Sequence, residues 1–143
     1  MTTIEVLDDA TARYVLENQR CFEDLKQVAS QLAGLLVLAA AGSKEALPDH
    51  PALESARDIF REANDALRRA RPTVRAQKHY AHLARAAAAI GTALSQTGGA
   101  LDVDRILIPL RAGYTELEHA ADSLPGFEKV AYERACCGFR IAQ

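Results

Sequence analysis

Residues 7–39 read LDDATARYVLENQRCFEDLKQVASQLAGLLVLA, and this stretch decides the fold. Its core positions recur at alternating steps of four and three, and eight of the ten are apolar: Leu7, Thr11, Tyr14, Asn18, Cys21, Leu25, Val28, Leu32, Leu35 and Ala39. A seam sustained over this length predicts a long amphipathic helix that packs against other helices. Thr2 with Glu5 is a candidate capping box, either Asp8 or Asp9 is a second candidate N-cap, and Gly42 is a candidate stop.

The rest of the chain repeats this pattern in three further apolar seams. They run over residues 53–70, 76–94 and 103–124, and loop signals rich in Gly, Ser and Pro stand before the first and last of them. Pro109 lies inside the last seam, where it predicts a kink or marks the start of the helix. No stretch shows the period-two alternation of a strand. Short connections favour an all-α, four-helix up-down-up-down bundle, and a short C-terminal helix is predicted over residues 126–138.

Pro72 interrupts the middle of the chain, and the apolar seam shifts by one residue across it. Such a shift marks either a turn between two helices or a kink within one. One helix over residues 52–97 would be roughly 69 Å long at 1.5 Å per residue, which favours two helices. The seam beyond Pro72 places Tyr80 toward the core, His79 on the flank and His82 outside.

Composition limits the classes of protein to which the chain can belong. It has 143 residues, of which 49% are apolar and 25% charged, with a formal net charge of −2. We therefore expect a single folded domain over residues 1–143, with no disorder and no surface built for nucleic acid. The three cysteines form no disulfide framework, and neither a leader nor a membrane span is predicted, so we expect a cytoplasmic protein.

One end of the predicted bundle has more apolar surface than a four-helix layer can bury. Leu35–Leu38 and Ala86–Ile90 are apolar on every side of their helices. A homodimer interface is our first interpretation, and its candidate residues are Leu35, Leu38, Ala86, Ile90 and Leu107. One alternative is a monomer whose own chain covers this end. The other is a pocket for an apolar small molecule, and its candidate lining residues are Phe22, Leu36, Ile90 and Tyr114.

Histidines and one glutamate provide a weaker metal-binding hypothesis, with His79, His82, Glu116 and His119 as candidate ligands. The segment 116–119 is a Glu-x-x-His motif, of the kind that ligates metals in helical bundles when two copies are present, but this chain has one. Heptad phase turns His119 away from the core. Adjacent Cys136 and Cys137 are also possible ligands for a soft metal.

No motif in the chain identifies a reaction, so no catalytic residue and no cofactor is predicted. Our leading hypothesis is a non-catalytic bundle that acts by self-association and by binding another protein. A small-molecule-binding bundle is the alternative, and a metal-binding bundle is a further one.

Overall fold

The computed structural model describes residues 7–42 and 49–127 of the chain. Within these two stretches there is no strand, and the chain forms four helices: α1 (Asp9–Ala40), α2 (Pro51–Arg69), α3 (Gln77–Ser95) and α4 (Val103–Ser123). The predicted all-α helical bundle is confirmed. The predicted C-terminal helix falls almost entirely on residues 128–143, which lie outside the described residues, as do Thr2 and Glu5 of the candidate capping box.

Polar side chains fix where the helices begin. Asp8 is the N-cap of α1, and its Oδ1 accepts a hydrogen bond of 2.7 Å from the backbone N–H of Thr11. Asp102 caps α4 in the same way, so that helix begins at Val103 and Pro109 lies inside it rather than at its start. At the other end of α1, Gly42 follows with a φ of 91°, a conformation that glycine adopts without strain.

The segment around Pro72 is a connection between two helices. α2 ends at Arg69, Ala70 is extended with a ψ of 144°, and α3 begins at Gln77. The interpretation of residues 52–97 as two helices is therefore confirmed.

Contacts at both ends of α2 and α3 show that these helices run in opposite directions. The Tyr80 hydroxyl of α3 donates to the carbonyl of Leu67, 3.3 Å away near the end of α2. Near the start of α2, Arg57 donates to the Thr97 hydroxyl just beyond α3, over 2.9 Å. α3 packs most extensively on α4, and α1 packs most extensively on α2.

The buried side of α3 corrects one expectation. Tyr80 is half-buried, whereas His79 is fully buried, so the prediction that His79 lies on the flank is wrong. The buried seam of α3 advances in steps of three and four through Ala76, His79, Leu83, Ala86, Ile90 and Ala93. The reason is a hydrogen bond across the core, described below, which satisfies the His79 ring and lets it occupy a core position.

Candidate metal site between α3 and α4

Three of the predicted metal ligands come together on the outer edge of the α3–α4 interface. His82 lies on α3, Glu116 and His119 lie on α4, and one ligand atom from each falls within 4.8 Å of the other two. His82 Nδ1 lies 2.6 Å from Glu116 Oε2, and the centroids of the two imidazole rings are 5.1 Å apart. The described residues contain no other such group of three or more.

Helix geometry explains why these side chains meet. Glu116 and His119 are three residues apart on α4, which places them on one face, one turn from each other. Leu117 between them is fully buried, so its neighbours flank the interface with α3. His82 flanks the same interface from the other side, next to the buried Leu83. The prediction that His82 and His119 lie outside the core agrees with this placement, but two positions outside the core can still face each other across adjacent helices.

Arg85 completes the polar group from one turn further along α3. Its Nε lies 3.4 Å from Glu116 Oε2, and its terminal nitrogen lies 3.0 Å from His82 Nδ1. Partial burial favours the neutral form of Glu116, but hydrogen bonds from His82 and Arg85 and their charges outweigh it, so the pKa of Glu116 is below its usual range. The carboxylate is therefore ionised at neutral pH, as a metal ligand must be.

A surface pocket of about 370 Å³ opens beside the two histidines. Its lining consists of Lys78, His82, His119, Asp122 and Ser123. Neither Glu116 nor Arg85 lines the pocket, and Arg85 lies against the Glu116 carboxylate.

This donor set suits a divalent transition metal. Imidazole nitrogen binds zinc, copper, iron and nickel, and carboxylate oxygen extends the range to manganese. Two histidines and one glutamate form the protein ligand set of many zinc sites in which a fourth position stays open to water or substrate. A metal here would replace the hydrogen bond between His82 and Glu116.

His79, the fourth predicted ligand, has a different environment. Its ring is fully buried, Nδ1 lies 2.8 Å from the Tyr14 hydroxyl, and the Phe127 ring stacks on it at 4.0 Å. Burial and the neighbouring His82 lower the pKa of His79 to about 4, so the imidazole is neutral at ordinary pH. Burial also raises the pKa of Tyr14, so the phenol keeps its proton, and its hydroxyl shares the hydrogen bond with Nδ1. We therefore assign His79 to the core rather than to the metal ligands.

The residues predicted for an apolar pocket lie mostly in the core. Phe22, Leu36 and Ile90 are buried, and Tyr114 is half-buried. Packing around Ile90 is close, since a Cβ built on Gly113 would lie 2.8 Å from Ile90 Cγ1. This part of the bundle is filled by the chain's own side chains.

The residues predicted for a dimer interface divide between core and surface. Leu35, Ala86 and Ile90 are buried by the chain's own helices, and Leu107 is half-buried. Leu38 remains 52% exposed, and its neighbour Val37 is 68% exposed. Exposed apolar surface for a partner is therefore present on the last turns of α1.

The other candidate metal ligands, Cys136 and Cys137, lie outside the described residues.

Comparison with family models, with curated proteins and with solved structures found no match for this chain. None of the four described helices combines the length and the apolar character that crossing a lipid bilayer requires. The chemistry of the site therefore rests on its own residues. Sequence reasoning missed Arg85 and the pocket residue Asp122, although each lies three residues from a ligand histidine, the spacing of one helical turn.

Proposed function

We propose that this protein binds one divalent transition-metal ion through His82, Glu116 and His119. The observation that carries the proposal is the convergence of three ligand atoms within 4.8 Å, from two helices that the core holds against each other. Placing these side chains on rigid helices reduces the conformational entropy that metal binding must otherwise overcome.

The contacts of the three side chains also favour a metal over a merely structural role. The pair between His82 and Glu116 is only partly buried, and ion pairs near the surface typically contribute about 0–1 kcal/mol to stability. Two histidines beside one carboxylate are unnecessary for such a pair, whereas they form a suitable ligand set for Zn²⁺. Zn²⁺ is therefore the probe of choice.

The test is a calorimetric titration of the untagged full-length chain with Zn²⁺. The parent and every variant carry Cys136→Ser and Cys137→Ser, so that these two cysteines cannot bind Zn²⁺. We expect one Zn²⁺ per chain, with affinity at least about tenfold weaker in His82→Ala and in His119→Ala. His50→Asn is the matched control, because it removes a histidine far from the site and keeps the N-cap hydrogen bond to Ala52.

Two results would contradict the metal-binding proposal. One is the absence of Zn²⁺ binding to the parent at micromolar concentrations. The other is binding that His82→Ala and His119→Ala leave unchanged, which would move the metal elsewhere in the chain. Circular dichroism of each variant verifies that the helices persist.

Self-association remains a second candidate function, supported by the exposed apolar side chains at the end of α1. Val37 and Leu38 are adjacent, large and more than half exposed. Burying them against a second copy of the chain would remove apolar surface from water, which stabilises a dimer by roughly 25 cal/mol per Å².

Light scattering after size-exclusion chromatography tests this second candidate. Leu38→Glu is expected to convert a dimer to a monomer that retains its helical signal. Leu16→Glu is the matched control, because Leu16 is 70% exposed toward the other end of the same helix. A monomeric parent chain, or a dimer that persists in Leu38→Glu, would contradict an interface at this position.

A further inference from the structure

The pocket beside the two histidines indicates from where a further ligand could reach the metal site. His82 and His119 line it, whereas Glu116, 2.6 Å from His82, and Arg85 do not. Three protein ligands would leave one position of a tetrahedral metal open. Because Arg85 lies against Glu116 and lines no part of the pocket, a fourth ligand would enter from the pocket.

The charges around that position favour an anion. A divalent ion contributes +2, Glu116 −1, Arg85 +1, Lys78 +1 and Asp122 −1, so the loaded site carries a net charge of +2. Lys78 stands one helical turn before His82 on the same helix and lines the pocket. An ammonium group and a metal ion on two sides of one pocket form a pair of anchors for the oxygens of a single anion.

The pocket is open to solvent and modest in volume. A space of about 370 Å³ is at the small end of ligand pockets, which are typically about 300–1,000 Å³. From these observations we infer that the metal-loaded site binds a small oxyanion, a phosphate or carboxylate group, with one oxygen on the metal and another on the Lys78 ammonium. This inference rests on the proposed function, because without the metal the same pocket has no net positive charge to offer.

The experiment uses Co²⁺ in place of Zn²⁺, since the visible spectrum of Co²⁺ reports on its ligands. The full-length chain that carries Cys136→Ser and Cys137→Ser is loaded with Co²⁺ and titrated with inorganic phosphate, then separately with acetate. We expect a saturable spectral change with at least one of the two anions. Lys78→Gln should weaken that anion's binding by about fivefold to tenfold while the affinity for Co²⁺ changes by less than twofold.

Lys26→Gln is the matched control, because Lys26 pairs with Glu23 on α1 and does not line the pocket. It should leave both the metal and the anion affinity unchanged. The failures are distinguishable: if Co²⁺ does not bind, the proposed function and this inference both fall. If Co²⁺ binds but neither anion changes the spectrum, or if Lys78→Gln binds the anion as tightly as Lys26→Gln, only the inference is overturned.

Discussion

His79 and His82 stand one turn apart on α3, yet they have opposite environments. His79 is enclosed between Tyr14 and Phe127, and its low pKa keeps it neutral. His82 lies at the edge of the bundle, where it shares a short hydrogen bond with Glu116 and lines an open pocket. The comparison teaches that access to solvent and the nature of the partner, rather than residue type, separate a structural histidine from a candidate ligand.

The buried pair joins two helices that are distant in the chain. The Tyr14 hydroxyl on α1 forms a hydrogen bond with the His79 ring on α3, and the Asn18 side chain, one turn further along α1, donates to the Tyr14 carbonyl. The other ring nitrogen of His79, Nε2, is buried and has no hydrogen-bond partner among the described residues. An unpaired buried polar atom costs about 1–3 kcal/mol, and the stacking on Phe127 and the hydrogen bond with Tyr14 act against that cost.

The largest expected effect is on stability, and it falls on the buried histidine alone. His79→Ala removes the ring that stacks on Phe127 and removes the hydrogen-bond partner of the Tyr14 hydroxyl. We expect it to lower the free energy of unfolding by about 4 kcal/mol, against less than about 1 kcal/mol for His82→Ala without metal. Urea denaturation of both variants at pH 7.5 measures the difference, and equal losses of stability would contradict the structural role assigned to His79 alone.

The next effect is a dependence of stability on pH. Unfolded His79 has the usual pKa of 6.5, and the folded value is about 4. Above pH 6.5 neither the folded nor the unfolded chain binds a proton at this ring, so the contribution of neutral His79 to the free energy of unfolding is fully present. Between pH 6.5 and pH 4 only the unfolded chain takes up the proton, and stability falls by an amount on the order of 3 kcal/mol.

A variant that cannot titrate isolates this effect from the carboxylates. His79→Asn keeps an acceptor for Tyr14 near the position of Nδ1 but binds no proton in this pH range. Its unfolding free energy should change less than that of the parent between pH 6.5 and 4, although it starts from a lower value. Parallel curves for the two proteins would show that His79 does not titrate as its burial requires.

The fold was predictable from sequence because heptad spacing reports burial directly. The seams of α1 and α4 place the same residues in the core that the structure buries, from Tyr14 to Leu35 and from Ile106 to Leu124. α3 was ambiguous for a physical reason: a step of three or of four from Ala76 gives two seams that share Leu83 and Ile90. The seam through Tyr80 fits the apolar pattern better than the seam through His79, because a tyrosine ring is more apolar than an imidazole.

The candidate site was only partly predictable. The Glu-x-x-His spacing of residues 116–119 is local, so the sequence contains it. The contact between His82 and Glu116 joins residues 34 positions apart and depends on how α3 and α4 are rotated against each other. Heptad phase gives the direction of each side chain relative to the core, but not which flanking residues of neighbouring helices face each other.

The smallest expected effect concerns Arg85, and it separates a metal site from an ion-pair network. In the metal-free chain its guanidinium lies against both Glu116 and His82, where a bound cation would be repelled by it. Two unit charges about 4 Å apart interact by about 1 kcal/mol in water, and Zn²⁺ carries two charges, so removing the Arg85 charge should tighten Zn²⁺ binding by about 2 kcal/mol, which is about thirtyfold. We therefore expect Arg85→Gln to bind Zn²⁺ more tightly than the parent in calorimetry, while its urea midpoint hardly moves. If Arg85 instead served to hold His82 and Glu116 in place for the metal, the same substitution would weaken Zn²⁺ binding, and the sign of the change decides between the two roles.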